Sequence, residues 1–213
     1  VPLISDENKK QIQEVFQKLT NKVVFHFFTQ EFECESCRLS HELLQELTGL
    51  SDKLELKVYD FQKDPETVKK FEVDKIPAIV LEGQKVYGIR FFGIPSGYEF
   101  AALLEDLVDV SKGNTELSLE TINQLNTLIK RIHIQVFTTP TCPYCPITVR
   151  MAHKLALMNE RIKADMVAST EFPHLANKYS VLGVPKTIVN DGLVTIDGAL
   201  PEQQFIQQVM RAA

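Results

Sequence analysis

The chain has 213 residues, 44% apolar and 24% charged, a globular composition that excludes a disordered or low-complexity chain. A formal net charge of −5 argues against nucleic acid as the main partner. No apolar run approaches the roughly 18 residues that a membrane-spanning helix needs.

In chain order, the opening Val1-Pro2-Leu3-Ile4-Ser5-Asp6-Glu7 lacks the basic and apolar regions of a signal peptide. The first residue is not Met, so a removed leader stays open. Ser5 caps a first helix whose buried face is Ile12, Val15, Phe16 and Leu19. Residues 22–28 read as a central strand leading into Cys34-Glu35-Ser36-Cys37. A helix with Leu39, Leu43, Leu44 and Leu47 follows and ends near Gly49. Residues 54–59 alternate as a strand does, and Asp64-Pro65, cap then Pro at the first position, begins a helix to about Phe71. Ile76-Pro77 opens a strand to Leu81, a turn lies at 82–84, and a strand covers 85–91. The spacing predicts a helix over 96–110, with Phe100, Leu103, Leu104, Leu107 and Val108 inward.

The polar stretch 111–117 is a boundary, and the order then repeats. A helix over 119–130 is capped by Ser118, and a strand over 132–137 leads to Thr141-Cys142-Pro143-Tyr144-Cys145. The next helix runs to about Asn159, followed by a strand over 162–167 and a helix over 171–179. Val184-Pro185 opens a strand to Val189, a hairpin turn lies at 190–192, a last strand covers 193–196, and Pro201 starts the final helix. Cys34 to Pro77 spans 43 positions, and so does Cys142 to Pro185. At the common offset of 108, Ile76-Pro77 falls on Val184-Pro185 and Lys70-Phe71-Glu72-Val73 on Lys178-Tyr179-Ser180-Val181. The chain is read as two copies of one βαβαββ-type unit, over 1–113 and 114–213, each α/β with a central mixed sheet flanked by helices.

All four cysteines belong to the two CxxC pairs, so none is left to staple loops as in a secreted scaffold. Residues i and i+3 on a first helical turn have β-carbons about 5–6 Å apart, within easy reach of a disulfide. The unpaired amides and macrodipole of a helix N-terminus favour a thiolate at the first cysteine. The spacing is that of a reversible dithiol–disulfide couple. A structural zinc site with four thiolate ligands is the competing reading, but zinc ribbons place their pairs about 15–20 residues apart. Here 104 residues intervene. No metal is expected. His26 reads as a satisfied core histidine, His41, His133, His153 and His174 as surface residues, and Phe91-Phe92 as core.

CxxC at a strand–helix junction, with an apolar–Pro dipeptide opening a strand some 40 residues on, resembles the thioredoxin fold. The run Thr139-Pro140-Thr141-Cys142-Pro143-Tyr144-Cys145 is similar to glutaredoxins. Two such units in tandem, with the runs 3–6, 90–93 and 150–154, resemble the tandem protein disulfide oxidoreductases of heat-loving archaea and bacteria. The resemblance implies thiol–disulfide exchange on protein substrates in the cytoplasm. It implies no bound cofactor, with electrons arriving indirectly from NAD(P)H through a thioredoxin-reductase-type flavoenzyme. It also implies that Pro77 and Pro185 are cis and face the dithiols. Three features depart from relatives of that kind. The buried acid of thioredoxins six positions before the first cysteine is replaced by Phe28 and Val136, there is no Trp, and Asp197-Gly198-Ala199-Leu200 stands where glutathione-binding glutaredoxins carry a Gly-Gly turn. Thirteen Gln and eight Asn are many for a hyperthermophile.

The catalytic candidates are therefore Cys34 and Cys142 as attacking thiolates and Cys37 and Cys145 as resolving thiols. Ile76, Pro77, Val184 and Pro185, with Pro143 and Tyr144, are the substrate-binding candidates, because the backbone beside a cis proline can pair with an extended strand. Glu31, Glu33, Glu35 and Glu42 surround the first dithiol, against Arg38 and His41, whereas Arg150, His153 and Lys154 follow the second with no acid from 137 to 159. On charge alone, Cys142 has the lower pKa and Cys142/Cys145 is the more oxidising couple. Two further readings stay open: an electron-relay module serving a peroxiredoxin, and a peptide-binding chaperone whose cysteines are incidental.

Overall fold

The structure is a computed structural model that describes residues 2–213. Its elements follow the repeat. The first half contains α1 (Asp6–Phe16), β1 (Val23–Thr29), α2 (Glu35–Thr48), β2 (Leu54–Asp60), α3 (Pro65–Lys70), β3 (Ala78–Glu82), β4 (Val86–Phe92) and α4 (Glu99–Lys112). The second contains α5 (Leu119–Asn126), β5 (Ile132–Thr138), α6 (Cys145–Met158), β6 (Ile162–Ala168), α7 (Pro173–Lys178), β7 (Lys186–Val189), β8 (Val194–Asp197) and α8 (Glu202–Met210).

The strands form one eight-stranded mixed sheet in the order β2-β1-β3-β4-β6-β5-β7-β8, so the halves repeat the same strand order. What periodicity did not foresee is the join: β4 pairs parallel with β6, Ile89 opposite Ala164 through Phe92 opposite Val167. This pairing covers two edges that would otherwise present unpaired backbone groups.

Alternation along the strands sorts the core onto two faces. Phe25, Phe27, Ile79, Leu81, Ile89, Phe91, Ile134 and Val136 pack under α1, α2, α4, α5, α6 and α8. Phe28, Val80, Phe92, Phe137, Val167 and Ile188 face the short helices α3 and α7, through Val68 and Leu175. Phe91 and Phe92 are both fully buried, each on its own face.

Ser5 and Ser118 cap α1 and α5 as expected, their hydroxyls accepting from the Asn8 and Thr121 amides. Other local expectations are corrected. Asp64 precedes α3, but its carboxylate accepts from the Asp60 amide rather than capping the helix. The helix expected from 171 begins at Pro173, and the one expected to reach 130 ends at Asn126. The helix expected from 96 begins at Glu99. It runs two residues into the supposed boundary, because Ser111 is buried and tied to the first half. Its hydroxyl accepts from the Thr20 and Asn21 amides at 2.8 Å and donates to the Asn21 carbonyl at 2.7 Å.

Candidate active site

Both CxxC pairs are closed as disulfides, with Cα–Cα distances of 5.4 Å for Cys34–Cys37 and 5.5 Å for Cys142–Cys145. Their placement follows from the sheet. β1 is antiparallel to β3, β3 to β4, and β4 is parallel to β6 and β6 to β5, so β1 and β5 run in the same direction. The two dithiol loops therefore leave the same end of the sheet. Four strand spacings separate them, about 19 Å at about 4.8 Å per strand.

The prolines join them there. Ala78 lies opposite Phe28 at the end of β1, and Lys186 lies opposite Phe137 at the end of β5. Pro77 and Pro185, one residue earlier, thus sit beside the strand ends that feed the two dithiols. Both are cis and buried, while Ile76 and Val184 before them are half-buried. Tyr144 is 64% exposed, Phe32 and Ile147 are exposed nearby in the chain, and exposed Tyr98 meets the second loop through the hydrogen bond of its amide to Pro140.

The two dithiols are set differently on their helices. Cys34 is the N-cap residue of α2, whereas α6 begins only at Cys145, after a turn through Pro143 and Tyr144. The expectation that Cys142 sits on the first helical turn is corrected accordingly. Pro146 within the first turn supplies no N–H, which removes one amide from the N-terminal anion site. In each pair the second cysteine is the more enclosed: Cys37 is 2% and Cys145 0% exposed, against a half-buried Cys34 and 7% for Cys142. The first cysteine of each pair is thus the more accessible to an incoming group.

The charge comparison made from sequence changes in three dimensions. Arg150 does not serve Cys142. Its guanidinium meets α4, bonding Asp106, Asp109 at 2.6 Å and Glu105 at 3.1 Å. Burial opposes its charge, but Asp106 and Asp109 outweigh that and hold the pKa above its usual value. His153, expected at the surface, is fully buried with Nδ1 2.6 Å from Asp106. His133 likewise turns out half-buried, 2.6 Å from Asp165. Asp165 also takes a two-pronged bond from buried Arg90, at 2.6 and 2.9 Å. Burial would raise the Asp165 pKa, yet Arg90 and His133 hold it well below the carboxylate range. His26 is the core histidine expected, bonded to Tyr59 and Glu82, with burial pulling its pKa down.

Sequence reading missed Glu99. It begins α4 directly after Gly97 and Tyr98, which touch the second dithiol loop. The Tyr98 amide donates to the Pro140 carbonyl at 3.1 Å, and a Cβ on Gly97 would collide with that same oxygen. Glu99 is 2% exposed, and neither carboxylate oxygen has a hydrogen-bond partner among the described residues. Burial, reinforced by the Asp106 charge, pushes its pKa up to about 8. A readable signal existed. Glu99 and Asp106 stand seven apart on the stripe carrying Leu103, Leu107 and Val110, two acids on an apolar face.

The family described as Thioredoxin domain matches residues 132–211. The chain is similar to the crystal structure of a protein disulfide oxidoreductase from Aeropyrum pernix, with a TM-score of 0.91 and 30% identity over 97% of this chain and 92% of that one. It is also similar to the structure of the alkylhydroperoxide reductase AhpF from Enterococcus faecalis, with a TM-score of 0.89 and 26% identity over 97% of this chain and 99% of that one. An alkyl hydroperoxide reductase protein of the same kind from Xanthomonas campestris pv. phaseoli is 28% identical over 79% of this chain and 30% of that protein. The chain spans about a third of the length of the curated relatives it matches. On this relationship the chain belongs to the thioredoxin-fold CxxC family that includes the Aeropyrum protein disulfide oxidoreductase.

Proposed function

We propose that the chain is a protein disulfide oxidoreductase that exchanges thiols and disulfides with protein substrates through two dithiols, one in a unit over 1–113 and one in a unit over 114–213. The observation that carries this is the placement of two closed CxxC disulfides and two proline-led strand starts at one end of one sheet.

In the reducing direction the Cys34 or Cys142 thiolate attacks a substrate sulfur, forming a mixed disulfide and releasing a substrate thiolate, which takes a proton. Cys37 or Cys145, as thiolate, then attacks the first cysteine, closing the CxxC disulfide and releasing the second substrate thiol. The enclosed resolving thiol must lose its proton on the way. Glu99 lies next to Gly97 and Tyr98, which touch the second dithiol loop, and with a pKa of about 8 its ionised fraction is the proton acceptor we assign to the second site. Ile76 and Val184 offer main-chain groups to an extended substrate segment, and exposed Tyr144 with Pro143 offers an apolar face beside the second disulfide. No helix among the described residues is long and apolar enough to cross a membrane. We place the reaction in the cytoplasm, with reducing equivalents drawn from NAD(P)H by a thioredoxin-reductase-type flavoenzyme.

The likeness to the alkylhydroperoxide reductase AhpF along nearly the whole chain supports a second reading, an electron relay from a flavoprotein to a peroxiredoxin. Insulin reduction driven by dithiothreitol tests the first. The parent protein is expected to accelerate it, and Cys34→Ser with Cys142→Ser to abolish the acceleration. Unchanged activity in that double variant would leave only a peptide-binding role.

A further inference from the structure

The first dithiol is held by a residue from the other half of the chain. Ser36, between Cys34 and Cys37, donates its hydroxyl proton to the Glu171 carboxylate, whose other oxygen accepts the Ile94 amide at 2.8 Å. Glu171 lies just past the end of β6, and Ile94 just past the end of β4, so this contact spans the parallel seam that joins the halves. The approach is close: Gly93 has φ +91°, and a Cβ there would lie 2.6 Å from the Ala168 Cβ and 2.7 Å from a Glu171 oxygen. No other side chain from the second half bonds the first CxxC loop among the described residues.

The loop's own charges are largely spoken for. Arg38 pairs with Glu42 at 2.6 Å, Glu31 lies 3.7 Å from Lys63, and Glu33 and Glu35 point to solvent. Glu171, half-buried and fixed by two donors, is the carboxylate that the fold holds against Ser36 in this loop.

We propose that Glu171 is a positioning residue that fixes the Cys34–Cys37 loop through Ser36 and, by its charge, makes this couple more reducing than the loop alone would be. A fixed negative charge held at Ser36, between the two cysteines, disfavours the Cys34 thiolate, and destabilising the thiolate destabilises the reduced state. This rests on the disulfide-exchange reading above.

The test is Glu171→Gln, whose amide oxygen can accept from Ile94 and whose amide nitrogen can donate to the Ser36 hydroxyl, so both contacts survive without the charge. In a Cys142→Ser/Cys145→Ser background, ultraviolet titration of the Cys34 thiolate should show its pKa lowered by about half to one unit. Equilibration with glutathione should shift about three- to tenfold toward the reduced dithiol. In a Cys34→Ser/Cys37→Ser background the second dithiol should not move. No change at the first site, a shift confined to the second, or equal shifts at both would overturn the proposal. If Glu171→Ala alone loses thermal stability while Glu171→Gln leaves the equilibrium of the first dithiol unchanged, the role is structural only and the proposal fails. These equilibria use no protein substrate, so failure of the parent to reduce insulin would sink the functional reading and leave this test standing.

Discussion

Glu99 gives the sharpest thermodynamic prediction. A carboxyl that titrates near 4.5 in the unfolded chain and at about 8 in the native one holds its proton more tightly when folded. Below about pH 4.5 both states are protonated and the group makes no pH-dependent contribution to stability. Between pH 4.5 and 8 the unfolded chain releases the proton while the native state keeps it, so stability falls as pH rises. Above pH 8 both states are ionised and the loss is complete. At about 1.4 kcal/mol per pKa unit, the span corresponds to about 3–5 kcal/mol. Glu99→Gln removes the titration and leaves a neutral group of the same shape. With both dithiols kept oxidised so that thiols do not contribute, melting curves of parent and variant should coincide in slope below pH 5. They should then diverge in favour of the variant by on the order of 10 °C at pH 8.5, at about 2–4 °C per kcal/mol for a chain of this size. Curves that stay parallel from pH 5 to 8.5 would refute the buried, neutral Glu99 and with it the proton acceptor assigned to the second dithiol.

Three other outcomes follow from named contacts. Asp165→Ala strands the guanidinium of Arg90, itself 5% exposed, and should cost about 3–5 kcal/mol in chemical denaturation, whereas Arg90→Met with Asp165→Leu should cost much less. Ser111→Ala leaves the Thr20 and Asn21 amides without their acceptor and should cost about 1–3 kcal/mol in the same assay. Glu99→Gln in a Cys34→Ser/Cys37→Ser background should slow insulin reduction at pH 7 by at least about tenfold, while the first site, tested alone, keeps its rate.

Much of this was legible because the signals are local. The capping serines, the strand alternation, the apolar–Pro dipeptides and the 108-residue offset need no tertiary information, and each lies where the structure puts an equivalent element. What escaped is what the seam between the halves creates. Arg150 and His153 looked like free cations because their partners, Glu105, Asp106 and Asp109, lie more than 40 positions away on α4. His133 looked like a surface residue because Asp165, beside it across β5 and β6, was invisible to spacing. Glu171 read as the first residue of a helix, yet it ends up on the first dithiol loop, 135 positions from Ser36. The buried acid missing at Phe28 and Val136 also has a counterpart, Glu99, which reaches the core from a helix rather than a strand. Sequence periodicity places side chains on faces; it does not say which faces meet.

The central claim, that Cys34 and Cys142 each attack a substrate disulfide and are resolved by the cysteine three positions on, has a direct measurement. Replacing Cys37 and Cys145 by Ser removes the resolving thiols, so mixed disulfides with a disulfide-bonded protein such as insulin should accumulate. Peptide mapping by mass spectrometry should find insulin cysteines linked to Cys34 and to Cys142, and dithiothreitol should release them. Absence of any adduct, or adducts of equal yield when Cys34 and Cys142 are also Ser, would contradict the account.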